Sequence, residues 1–221
     1  MISLLAGIYT NGAIFVQGGY KYSTDDELAL TIGHEMAHDI LSHWDEKHAL
    51  NVLNDITQMI YLPFECSRQA TFYFRIVDED TYYKIHQLFE LESDYVGAFL
   101  AARSCYDVRM APVEWIKRNL FYNQKNSSTN YSELENTLST HPDHLTRASA
   151  MEEILPLLLQ ERLSVGCPKL NETIDPREVF EEFKEFVFNE TEEFEIHQFE
   201  KHYLDMISEK SANHTRSSNV S

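Results

Sequence analysis

Hydrophobic positions along this chain fall mostly at the three-and-four spacing of helices. The clearest run holds Ile85, Leu88, Leu91, Val96, Phe99 and Leu100. It predicts a helix from about Asp80 to Ser104. An equally strong helix is announced by the polar run 23–27, STDDE. Ser23 or Thr24 can cap it, and the acids that follow suit the positive end of its dipole. Nothing from Leu28 to Leu53 stops this helix, and Asp45-Glu46-Lys47 predicts a bend. Pro112 predicts a helix start, running to about Phe121. Residues 142–163 predict another helix, kinked or broken at Pro156. In the acidic stretch 176–210, Phe180, Phe183 and Val187 predict a helix packed on the core.

Only one strand signal stands out. In 12–22, GAIFVQGGYKY, Ile14 to Val16 are strand formers and Gly18-Gly19 ends the run. Residues 54–78 mix aromatics and β-branched residues around Pro63, and read as a partly buried helix and loop with a side suited to a membrane surface. Residues 123–133 read as a polar loop, and 211–221 as a disordered tail. The elements together predict an α+β fold that is predominantly α-helical. The expected organisation is a domain over 1–170, an acidic, Phe-rich helical extension over 171–210, and the tail.

Charge and composition narrow the function. With 36 acids against 18 Lys and Arg, the 221-residue chain carries a formal charge of -18. Such a chain repels phosphates, so no nucleic-acid partner is expected. No window is apolar for long enough to cross a membrane, and the N-terminus lacks the basic region of a signal or transit peptide. Cys66, Cys105 and Cys167 form no C-x-x-C pair. The reading excludes a disulfide framework and expects Cys105 and Cys167 to be buried thiols.

Residues 34–38 read His-Glu-Met-Ala-His. On a helix, His34 and His38 lie one turn apart on one face, a spacing that suits two imidazoles on one zinc at about 2.0–2.1 Å each. Glu35 sits beside them as the base that takes a proton from water during attack on a carbonyl. A third ligand must come from elsewhere. Glu90 and Asp94 share a face of the second strong helix, so Glu90 can ligate while Asp94 accepts a hydrogen bond from a ligating histidine. His43, His48, His86 and His144 read as ordinary surface or helix histidines. The competing readings are an accidental motif on a helical interaction protein and a solvated acidic face around residue 90.

HEMAH, then FELESDYVGAFLAARSCYD, then LSTHPDHLTR resemble, in order, the motifs of the M48 zinc metallopeptidases. The likeness is greatest to the mitochondrial inner-membrane branch of that family, and it covers about residues 12–182. It implies a zincin-like metalloendopeptidase domain that takes protein or peptide substrates. One Zn2+ would be held by His34, His38 and Glu90, with Glu35 as the catalytic glutamate and Asp94 as the acid behind the ligands. His141 matches a histidine that lies near the metal in some relatives, as a further ligand or a transition-state donor; the alternative is a loop-stabilising residue before Pro142. Arg147 matches an arginine that anchors its helix to the site or forms a structural ion pair. Ala13 to Gln17 match the strand whose edge would pair with an extended substrate. Family members carry sequence upstream of that strand, so the domain is expected to be short at its N-terminus. An inactive zinc-binding homologue, acting as a scaffold or regulator, is the second reading. Membrane-surface association and self-association stay open.

Overall fold

The helix bearing HEMAH begins at a capping box. In the computed structural model, Thr24 accepts a hydrogen bond from the Glu27 amide at 3.1 Å, and Glu27 accepts one from the Thr24 amide at 2.8 Å. The reciprocal bonds satisfy two amides that a helix start leaves open. Glu27 is also a buried ion-pair partner of Lys117, so the cap pins a later helix to this one. Thr24→Ala is expected to lower stability by about 1 kcal/mol, read as a shifted denaturation midpoint with an unchanged denaturant slope.

The structure describes residues 6–9, 12–16, 24–61, 78–126, 141–172, 174–189 and 201–210. The elements are β1 (Ala6–Ile8), β2 (Ile14–Val16), α1 (Asp25–Ile40), α2 (His43–Tyr61), α3 (Glu79–Arg103), α4 (Met110–Asn126), α5 (His144–Ser164) and α6 (Pro176–Asn189). Residues 201–210 are also helical. The architecture is the predicted one, predominantly helical with a small sheet. The expectations for Gly18-Gly19, for most of 62–78, for 127–133 and for the tail 211–221 lie outside the described residues.

β1 and β2 form an antiparallel pair with Ala6 opposite Val16, Gly7 opposite Phe15 and Ile8 opposite Ile14. β1 packs on α1, and the Phe15 ring lies over Gly7, where a Cβ would come within 2.6 Å of it. α3 is capped by Asp78, which accepts from the Thr81 amide at 2.8 Å, and α5 by Asp143, which accepts from the Thr146 amide at 2.9 Å. α5 runs on across Pro156. Pro156 and Glu152, one turn earlier, are exposed, so water can serve the carbonyl that loses its partner.

One core joins α3, α4, α5 and α6 through Ala98, Ala101, Val113, Met151, Leu158, Phe180 and Phe183. Tyr203, from the last helical stretch, closes it, with its ring 5.7 Å from those of Phe180 and Phe183. The acidic extension therefore places Phe180 and Phe183 in the same core as the helices before it.

Three expectations need correction. α4 runs on to Asn126 rather than ending near Phe121, so 123–126, expected as the start of a polar loop, are its last turn. The HEMAH helix does not continue to a bend at Asp45. It stops at Leu41–Ser42, where Ser42 takes φ 58°, and α2 starts at once in a new direction. Serine is not a residue that advertises the left-handed region, so the break left no compositional trace. The cysteines also differ from expectation: Cys105 and Cys167 form a disulfide across 62 residues of sequence. The ends of α3 and α5 meet there, and Arg162 secures the junction by donating to the carbonyls of Tyr106 at 3.1 Å, Cys105 at 3.0 Å and Pro168. An odd cysteine count argues against a framework of bridges but not against one bridge, and only the fold brings these Cα atoms to 5.2 Å.

Candidate metal centre

α1 and α3 cross where each has a glycine. A Cβ on Gly33 would come within 2.6 Å of the Gly97 carbonyl oxygen, and one on Gly97 within 2.5 Å of the His34 amide nitrogen. The two backbones thus touch with nothing between them. That contact lets His34 and His38, one turn apart on α1, face Glu90 on α3.

The three ligand-type atoms of His34, His38 and Glu90 lie within 4.8 Å of one another. His34 Nε2 is 3.4 Å from Glu90 Oε2, His38 Nε2 is 3.4 Å from Glu90 Oε1, and the two Nε2 atoms are 3.2 Å apart. The other nitrogen of His34, Nδ1, is 2.8 Å from Asp94 Oδ1. Asp94 is in turn gripped by Arg147, which donates Nε to Oδ2 and Nη2 to Oδ1, each at 2.6 Å. Arg147 is buried, with its guanidinium 3.5 Å from the centre of the Trp115 ring. His141 stands on the solvent side, 60% exposed, with Nδ1 3.0 Å from Glu90 Oε2. Glu35 is half-buried beside His34.

The charges fit a cation. Burial pushes the His34 imidazole down, yet hydrogen bonds to Asp94 and Glu90 outweigh it and raise its pKa to about 9. A proton there takes the place of positive charge that the carboxylates demand. Burial and the neighbouring His34 instead hold His38 down to about 3, so its ring is neutral. Burial pushes Glu90 up, but bonds to His141 and His34 bring it well below the usual carboxylate range. Burial raises Asp94, and Arg147 and His34 more than reverse that. Glu35 is raised by burial, with His34 opposing. Two imidazoles and one carboxylate are a donor set that suits zinc and leaves room for water.

His34, Glu35, His38, Glu90, Asp94, His141 and Arg147, singled out in the sequence for this chemistry, are brought to this one place. One more was missed. His43 is 1% exposed, with Nδ1 2.9 Å from His38 Nδ1, and its ring stacks on Phe89 at 4.5 Å. Helical spacing from His38 gives no hint of it, because the turn at Leu41–Ser42 is what brings it back. His48 is exposed, whereas His86 is buried and His144 stacks on Trp115 at 5.7 Å.

Among the described residues, no helix is long and apolar enough to cross a membrane. Peptidase family M48 matches residues 5–155. The mitochondrial metalloendopeptidase OMA1 of Bos taurus is 31% identical over 206 residues, 86% of this chain and 38% of that protein. That of Danio rerio is 31% identical over 207 residues, 89% of this chain and 42% of that protein. That of Schizosaccharomyces pombe is 25% identical over 165 residues, 73% of this chain and 47% of that protein. The chain thus spans less than half the length of these relatives. No solved structure matches it.

Proposed function

As the chain belongs to peptidase family M48, we propose that it is a zinc-dependent endopeptidase acting on protein substrates at the mitochondrial inner membrane, in the quality control or processing of membrane proteins. The observation that carries this reading is the convergence of His34, His38 and Glu90 within 4.8 Å, beside Glu35. Those three residues would hold the ion. Zinc, when bound, supplies Lewis acidity that polarises the scissile carbonyl and lowers the pKa of water.

The chain's own groups do the rest. Glu35 takes a proton from the attacking water and passes it to the amine nitrogen as the C–N bond breaks. Asp94 holds the proton of His34 on Nδ1, which keeps Nε2 available for the ion. Arg147 fixes Asp94 by two parallel bonds. His141, exposed next to Glu90, is placed to donate to the oxygen that gains charge in the transition state. β2 presents Phe15 and Val16 to solvent, and among the described residues only β1 pairs with it. An extended substrate would add along its other edge.

The purified chain is expected to hold one zinc per molecule, to lose cleavage of an unfolded protein on chelation, and to recover it with one equivalent of zinc. His34→Ala and Glu90→Ala are expected to lose stoichiometric zinc. Absence of zinc from the wild type would overturn the reading. Full zinc without cleavage would point to the scaffold role.

A further inference from the structure

We infer that His43 is a positioning residue for the metal ligand His38, and that a chain of hydrogen bonds from Glu92 through His43 sets the tautomer in which His38 presents a bare Nε2 to the ion. The inference rests on the zinc-peptidase reading and extends it to a residue outside HEMAH.

The argument follows the protons. His43 Nε2 is 3.2 Å from Glu92 Oε2, and a carboxylate oxygen accepts, so the tautomer that serves this pair carries its proton on Nε2. That leaves its Nδ1 bare. His43 Nδ1 faces His38 Nδ1 at 2.9 Å, and two ring nitrogens at that distance share one proton. It must therefore sit on His38 Nδ1, and His38 Nε2, which faces His34 and Glu90, carries none. The opposite assignment would put a proton on the nitrogen that has to ligate. The Ser93 hydroxyl, 3.2 Å from His43 Nδ1 and fully buried, can donate to the same bare nitrogen.

The two histidines of HEMAH are thus oriented differently. His34 has a buried carboxylate directly on Nδ1, whereas the carboxylate on the His38 side stands one imidazole further out. His43 is rigid enough for this task. It is the first residue of α2, set by the Leu41–Ser42 turn, and its ring is clamped on Phe89 at an interplanar angle of 23°. Glu92 is 61% exposed, so water competes for its place.

The test measures zinc affinity of the full chain against a competing chelator, the visible spectrum of the cobalt(II)-loaded chain, and the histidine ring 15N signals of the zinc-loaded chain. His43→Phe keeps a ring on Phe89 but offers no acceptor. It is expected to weaken zinc by about 10–100-fold and to change the cobalt spectrum. His43→Gln, whose amide oxygen can accept from His38, is expected to recover part of the affinity. Glu92→Gln, at an exposed position that leaves folding intact, is expected to weaken zinc by a smaller factor. In the wild type, the ring signals should show His43 protonated on Nε2. Zinc affinity unchanged in His43→Phe, or His43 protonated on Nδ1, would overturn the inference while leaving the peptidase reading in place. Equal losses in the Phe and Gln variants would reduce His43 to packing and overturn it too. A wild type without zinc would remove both.

Discussion

Glu35→Gln is expected to lower peptide cleavage by about 10²–10⁴-fold while zinc stays at one per chain. Glutamine keeps the shape and the hydrogen-bonding reach of the side chain but cannot take a proton from water. Glu35 is not among the three convergent donors, so the ion has no reason to leave. The local field also suits a base. Burial raises the Glu35 pKa above that of an ordinary glutamate, with His34 opposing and Glu90 reinforcing the rise. A carboxylate that binds its proton more tightly is the stronger base. Elemental analysis and a cleavage assay on the same preparation check both halves. A variant that cleaves at the wild-type rate would remove Glu35 from the reaction.

The ingredients of the site were legible because each is a local pattern. HEMAH is a fixed spacing on one helix, Glu90 and Asp94 are one turn apart on another, and the cap at Thr24 follows from its neighbours. Their convergence could be expected on the strength of the family motifs, but the contact that produces it could not be seen. Gly33 and Gly97 matter only to each other, and helical spacing treats each as a weak position. Composition does not mark the turn at Ser42, so no sequence pattern brings His43 to His38. The disulfide escaped for the same reason, since Cys105 and Cys167 are neighbours only after α3 and α5 have packed. The buried pair Glu27–Lys117 belongs with these, because nothing local singles out Lys117 from the surface lysines. β1 is as short as β2, but Ala6-Gly7-Ile8 holds a single strand former where Ile14-Phe15-Val16 holds three, so composition did not mark it.

The crossing of α1 and α3 supplies the second large effect. In an ordinary helix, Gly→Ala adds about 0.8–1.0 kcal/mol of stability through propensity alone. Gly97→Ala is expected to do the reverse, at a cost of about 1–3 kcal/mol. Its new Cβ would lie 2.5 Å from the His34 amide nitrogen and 2.6 Å from the Gly33 carbonyl carbon, where ordinary contact needs 3.4 Å. Those atoms are backbone, so no side chain can rotate aside; the helices must part or slide by about 1 Å, the scale at which catalytic alignment fails. The atom struck belongs to His34 itself. Parting the helices therefore lengthens His34–Glu90 and His34–Asp94 together, and zinc binding should weaken along with stability. Cleavage, which depends on the same alignment, should fall by about 10²-fold. A chemical-unfolding curve and a chelator competition test the two consequences separately. A Gly97→Ala chain as stable as the wild type, with unchanged zinc affinity, would mean that the close approach of these helices does not set the geometry of the metal centre.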